Sequence, residues 1–259
     1  PHRIYGQYLS YLWRAPSIRS WEQAYQNGEC NEAQSAFWEP KPAEELYDTE
    51  ADPWEVNNLV NDPNYQEIVK RMREANKDWV LEINDAGFIP EPMREEMMGD
   101  KAAYDFMRSS NIDLEAIVSA ANVASMGKIE NLNKMIGYLK SDKPVIRYWG
   151  ATGLLILGEE AKPAIEELRK ATLDASSSVA IVAAEAVYQL GERELGEKVL
   201  LSMLDNNNFA TTFALNSIDI LNIDDQEAKL AVKNALESLD HDYSLRAAGG
   251  LARKWGLEE

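Results

Sequence analysis

Three sets of residues in this chain have side chains from which a ligand or catalytic site can be made. Asp48, Glu50 and Asp52 stand at the one-three-five spacing of the first oxygen ligands of an EF-hand calcium loop. That loop also needs Gly at its sixth position and a bidentate Glu at its twelfth, where this chain has Pro53 and Leu59. The run is therefore expected to be a turn and not a metal site. Cys30 is a lone thiol with Glu29 and Glu32 close by and no basic cluster to favour a thiolate, so an inert role is expected. His2 and Arg3 form the third set, an imidazole beside a guanidinium, and are the candidate substrate-binding residues; the plainer reading makes them surface residues.

Other constellations are excluded by counting. One cysteine permits neither an internal disulfide framework nor a multi-cysteine metal site, and two histidines, His2 and His241, cannot build a histidine-rich one. No catalytic, cofactor-binding or metal-ligating residue is assigned. Trp13, Trp21 and Trp38 could stack on sugar rings, but side chains of this size more often fill a small core, which is the expectation here. Arg147, Tyr148 and Trp149 lie together near a helix start; the repeat register described below predicts that Trp149 is packed.

Net charge narrows the partners. The 259 residues carry a net charge of −18. Residues 1–100 hold 9 Lys and Arg against 20 Asp and Glu, and residues 101–259 hold 17 against 24, so both parts are acidic. Affinity for nucleic acid comes from neutralising phosphates, and this balance excludes it as a partner. A sulfated polysaccharide is repelled for the same reason, unless a basic groove lies elsewhere. The longest apolar runs, such as Ala151–Leu157, fall far short of the roughly 18–20 residues of a membrane span.

Composition changes near residue 100. The first hundred residues hold five of the seven Trp and eight of the ten Pro, and Ala- and Leu-rich segments with regularly placed Gly follow. Gly87–Asp100, with Pro90 and Pro92, reads as a connection. The division expected is a first domain over 1–92, a linker over 93–110 and a helical array over 111–259.

The array is an internal repeat. Leu139, Leu173, Leu204 and Leu239 align, each followed by an apolar helix start at Val145, Val179, Phe209 or Leu245. Helices close at Gly127, Gly158, Gly191, Asn222 and Gly256, residues that tolerate the left-handed conformation past a helix end. Val179, Val182, Ala183, Ala186, Val187 and Leu190 share one face behind candidate caps in Ser176–Ser178. Lys162-Pro163 opens the preceding partner helix, with Ile165 and Leu168 turned inward. Short helices in pairs must stack to persist, which predicts an α-solenoid. The pattern resembles HEAT-like repeats through Asp142, Val145, Arg147 and Gly150-Ala151, and again through Asp242, Leu245, Arg246 and Ala247-Ala248.

The first domain ends in one long amphipathic helix. Asp62-Pro63 supplies its cap and first turn, and Tyr65, Ile68, Val69, Met72, Ala75, Trp79, Val80 and Ile83 form a single stripe, with Gly87 helping to stop it. Such a stripe must pack on something. Glu45-Leu46-Tyr47 and similar short stretches predict a small sheet beneath it. An exposed remainder of the stripe would mark a lost partner.

The segment Lys41–Leu59, KPAEELYDTEADPWEVNNL, is the most informative in the chain. It resembles the stretch near the C-terminus of sulfatases of the alkaline-phosphatase-like superfamily, where an "ELYD…DPxExxNL" run leads into a final helix. The likeness continues through Asp62-Pro63-Asn64-Tyr65 to Trp79 and Asp85–Glu91, and takes in His2–Tyr8 and Trp13–Pro16. Its nearest branch is similar to bacterial N-sulfoglucosamine sulfohydrolases. The fold implied is mainly α: a remnant α+β sulfatase C-terminal subdomain, with short strands and one long helix, followed by the α-solenoid of HEAT-like pairs.

By this resemblance the chain is a non-catalytic C-terminal portion of a hydrolase of carbohydrate sulfate esters or sulfamates. The family's nucleophile is a formylglycine made from a Cys/Ser-x-Pro-x-Arg motif beside a calcium ion. No Cys or Ser here stands two residues before a Pro. Formylglycine and calcium, and the N-terminal catalytic domain that would hold them, are therefore expected outside this sequence, which opens at Pro1 as if truncated. The family's C-terminal subdomain borders the active-site cleft, which is why His2 and Arg3 are the substrate-binding candidates. The resemblance also implies a periplasmic, secreted or cell-surface location. The repeats are expected to stabilise the protein or to bind a protein partner. The competing reading is a stand-alone HEAT-repeat scaffold without enzymatic activity.

Overall fold

Proline, asparagine or aspartate stands at the start of many helices of this chain. The computed structural model describes residues 3–7, 9, 11–109 and 111–257. It is mainly helical, with no sheet among the described residues. The chain divides into two compact units, residues 1–85 and residues 86–259.

In the first unit, α1 spans Pro16–Gln26, with Pro16 in the first turn, where its missing N–H is not needed. The short α2, Glu32–Ser35, starts in a capping box: Asn31 and Gln34 each accept the other's backbone amide at 2.9 Å. The long α3 spans Gln66–Ile83. Asp62 caps the tight turn Pro63–Tyr65 that leads into it, accepting the Asn64 amide at 2.8 Å. The helix is stopped by Asn84 in the left-handed region, φ 56°, and not by Gly87.

Two expectations for this unit change. The small sheet is absent among the described residues, where the one strand-like pairing is an antiparallel bridge between Ile4 and Pro40. A strand persists by exchanging backbone bonds with a neighbouring strand, and Leu46 instead bonds within its own loop, accepting the Leu59 amide at 2.8 Å. The α3 stripe also divides in two. Val69 and Val80 are buried at 7% and 4% exposure, whereas Ile68, Met72 and Trp79 stay open to solvent.

In the second unit, α4 (Glu91–Met98) and α5 (Ala103–Ser109) occupy the stretch read as a linker. Met93 and Phe106 are buried there. Then follow α6 (Leu114–Ser125), α7 (Leu132–Tyr138), α8 (Pro144–Leu157), α9 (Ile165–Ala171), α10 (Ser177–Gln189), α11 (Arg193–Ser202), α12 (Phe209–Ile220), α13 (Gln226–Ser238) and α14 (Asp242–Lys254). The four aligned starts fall in the opening turns of α8, α10, α12 and α14, and the five closing residues all take positive φ, from 51° at Asn222 to 104° at Gly191.

The helices lean on near neighbours. α8 packs on α10, α10 on α12 and α12 on α14, while α7 flanks α8, α9 flanks α10, α11 lies against both α10 and α12, and α13 flanks α14. Short helices gain most of their stability from such packing, and a fully buried Leu or Ile contributes about 1.5–3 kcal/mol. Leu154, Leu168, Leu200, Leu215 and Ile218 are each at most 1% exposed. α10 goes beyond its expected stripe: every residue from Ser178 to Val187 is buried. Of the aligned set, Leu139 and Phe209 are half-buried, and two members are exposed, Leu173 at 83% and Leu245 at 38%.

Candidate functional site

The Lys41–Leu59 segment folds as a knot around Asn58. Its side-chain oxygen accepts the amides of Leu46 and Val60, each at 3.0 Å, and its nitrogen donates to the Glu44 carbonyl at 3.2 Å. Asp48 accepts the amides of Glu50 and Ala51 at 3.1 Å, and Asp52 accepts that of Asn57 at 2.7 Å. Asp48 and Asp52 thus spend their oxygens on the turn itself, as Asp does where the chain must reverse. No group of three or more His, Cys, Asp or Glu among the described residues is placed to hold a metal ion.

Glu44 ties the knot to α3, with Arg73 donating to both its oxygens at 2.6 Å. Nothing in the residue pattern points to this pair, since 29 residues separate the partners. Trp54 and Val56, inside the same segment, project outward at 85% and 54% exposure.

Beside the knot lies an aromatic cluster. Trp38, 5% exposed, is ringed by Trp13, Trp21, Tyr25 and Phe37 with centroids 5.1–6.0 Å away. Three of these four contacts are edge-on and the fourth, with Tyr25, is stacked, which is core packing and not an open platform. Gly6 lies against it so closely that a Cβ there would meet Phe37 and Trp38 at 2.8 Å. The rim is polar: Trp13 donates to Glu22 at 2.7 Å, Trp21 to the Gln34 carbonyl at 2.9 Å and Tyr25 to Glu39 at 2.6 Å. The indole N–H of Trp38 is buried without an acceptor among the described residues.

Of the two substrate-binding candidates, His2 lies outside the described residues. Arg3 is half-buried, its carbonyl accepting the Lys41 amide at 3.0 Å. Its neighbour Tyr5 donates to Glu45. Burial first, then that bond, push the Tyr5 hydroxyl well above the usual phenol range. Tyr47 is raised by burial and by the charge of Glu45, and Tyr25 by its bond to Glu39. These phenols are neutral donors at ordinary pH, unsuited to act as bases.

Among the described residues of the second unit, two shallow cavities stand out. The larger, about 340 Å³, is lined by Ser119, Lys134, Tyr138, Ser141, Asp142 and Lys143 among others. Lys143 is held by Asp113 at 2.8 Å. The other, about 240 Å³, lies where Met93 and Met97 of α4 face Pro144, Arg147 and Ser176. Arg147 is fully engaged: it grips Asp174 at 2.6 and 2.9 Å and donates to the Ser141 and Asp142 carbonyls at 2.9 and 3.2 Å. Burial opposes the Asp174 charge, but Arg147 and the Ser176 amide hold its carboxyl below the usual range. Trp149 is half-buried and donates to the Phe88 carbonyl at 2.9 Å. Among the described residues no helix is long and apolar enough to cross a membrane.

In the second unit His241 Nδ1 lies 3.1 Å from the Ser244 hydroxyl, but Ser244 is fully buried and its hydroxyl donates to the Asn208 carbonyl at 2.9 Å, which makes the pair part of the α14 start. No family model matches the chain, and no solved structure matches it. Over 92 residues, or 35% of this chain, it is 34% identical to the ulvan-active sulfatase of Formosa agariphila. The chain spans about 15% of the length of that relative. A region of the chain is therefore sulfatase-related.

Proposed function

We propose that this chain is a non-catalytic C-terminal portion of a sulfatase-like hydrolase acting on carbohydrate sulfate esters or sulfamates. The observation that carries this reading is the Asn58-centred knot. The run that resembles the sulfatase C-terminal connection is built as a connection, with its polar side chains turned on its own backbone. The 34% identity to an ulvan-active sulfatase supports it from an independent direction.

In this reading the first unit is the remnant of the C-terminal subdomain. The second is an α-solenoid of HEAT-like pairs, a stabilising or protein-binding module. Formylglycine and calcium belong to the catalytic part of the parent protein, and the location is periplasmic, secreted or cell-surface.

The test is to sequence the coding DNA immediately upstream of the Pro1 codon. An open frame of several hundred codons with a Cys- or Ser-x-Pro-x-Arg motif supports the reading. A start codon abutting Pro1 overturns it and leaves a stand-alone repeat scaffold.

A further inference from the structure

Within the second unit, α4 stands outside the row of packed helices and lies across it. It packs on α12, and its Met93 and Met97 face Pro144, Arg147 and Ser176 at the starts of α8 and α10. Just before α4, the Phe88 carbonyl accepts the indole N–H of Trp149 on α8 at 2.9 Å. Ile89 and Met93 are each 2% exposed, and Phe106 and Met107 of α5 are buried as well. Residues 86–109 thus form a strap over α8, α10 and α12.

The floor of this crossing is more polar than a core. Ser178, Val182 and Glu185 follow one another along α10 at steps of four and three, and all three are buried. Ser217 of α12 donates to the Glu185 carboxylate at 2.8 Å. Thr152, three residues beyond Trp149 on α8, is 6% exposed, and its hydroxyl has no partner among the described residues. A buried polar group without a partner costs stability, so lifting the strap returns to water groups that water stabilises. Methionine supplies much of the strap's own contact, and its flexible side chain suits surfaces that exchange partners.

We infer that residues 86–109 are a self-docked latch on a helix-binding groove formed by α8, α10 and α12, and that an amphipathic helix of another protein takes their place. The present occupant describes that partner. Ile89, Met93 and Met97 stand four residues apart, so the partner carries an apolar, methionine-rich line at the same step. A polar side chain reaching the Thr152 hydroxyl would supply the bond that the strap leaves unmade. This inference rests on the protein-binding role proposed for the second unit and is independent of the sulfatase-related region.

The probe is a fluorescein-labelled synthetic peptide of residues 86–109, titrated with the full chain while polarisation is read. The parent chain is expected to bind it weakly, because its own strap competes. Met93→Asp unseats the strap, and this variant is expected to bind the peptide about tenfold more tightly. A peptide carrying the same Met93→Asp change should bind neither chain. Circular dichroism shows whether the variant keeps its helices. A folded variant that binds no more tightly than the parent overturns the latch alone, since the second unit can still bind a protein through another surface. Equal binding of the native and the changed peptide also overturns it, because the groove then reads nothing. Amide hydrogen exchange tests the parent directly: α4 should lose its label before α8 and α10 do. If α4 keeps its label as long as α10, the strap is a permanent part of the core and the inference falls, whether or not the variant folds.

Discussion

The side-chain oxygen of Asn58 accepts the backbone amide of Leu46 across twelve positions of sequence, at 3.0 Å. With the Val60 amide on the same oxygen and the Glu44 carbonyl on its nitrogen, Asn58 closes a loop that has no sheet to support it. Asn58→Ala removes three bonds to backbone groups and is expected to destabilise the first unit by about 1–3 kcal/mol. Asn58→Asp keeps both acceptor contacts and should cost less. Urea unfolding followed by tryptophan fluorescence reads both, since the Trp38 cluster lies in this unit.

Arg147 on α8 and Asp174 before α10 make a two-pronged ion pair, and the same guanidinium holds two carbonyls. Arg147→Lys keeps the charge and loses the fork, so it should cost about 1.5–3 kcal/mol. The check is a lower urea midpoint with an unchanged slope. An unaltered midpoint would show that the charge alone is sufficient.

Glu197 on α11 stands beside Asp225, the cap of α13. Burial first, then its bond to Asp225 and the charges of Asp225 and Glu227, push the Glu197 carboxyl up to about 7. The Ala228 amide, first among its causes, holds Asp225 below the usual carboxylate range. A raised acid binds its proton more tightly in the folded state, so its contribution is present at low pH and falls as pH rises from about 4.5 to about 7. Glu197→Gln carries a permanent donor and should flatten the stability profile between pH 5 and pH 8. Unfolding midpoints at the two values, compared with the parent chain, test this.

Two glycines should respond in opposite directions. A Cβ on Gly196 would meet the Ala184 carbonyl at 2.6 Å and Tyr188 at 2.7 Å, where α11 crosses α10. Gly196→Ala is expected to cost about 1–3 kcal/mol by forcing the helices apart. A Cβ on Gly249 has no neighbour closer than Arg253, at 3.9 Å, and sits mid-helix in α14. Gly249→Ala is expected to add about 0.5–1 kcal/mol through helix propensity and a less flexible unfolded chain. Thermal midpoints moving in the same direction would contradict this.

The helices of the second unit were legible because their punctuation is local. A Gly or Asn past a helix end, and an apolar step of three or four, act within one turn, and Gly127, Gly158, Gly191, Asn222 and Gly256 all take the backbone those positions need. The stripe of α10 is legible from Val179 to Leu190, but the burial of every residue from Ser178 to Val187 depends on helices that its own sequence does not describe. Leu173 fits the register and still lies outside the core, because it stands in a turn after α9. In the first unit the segment around Leu46 had strand-like residues, yet strand formation needs a neighbour, and the neighbour it found was the Asn58 side chain. The bond by which the Arg3 carbonyl accepts the Lys41 amide is a main-chain contact that no side-chain pattern announces.

The way each helix of the second unit touches mostly its immediate neighbours has a kinetic consequence. Such a stack can be dismantled from its end: α14 rests on α12 and α13, while α10 is clasped by α8, α9, α11 and α12. Amide hydrogen exchange should therefore show a graded clock along the chain, with α14 losing its label first and the amides of α10 keeping theirs longest.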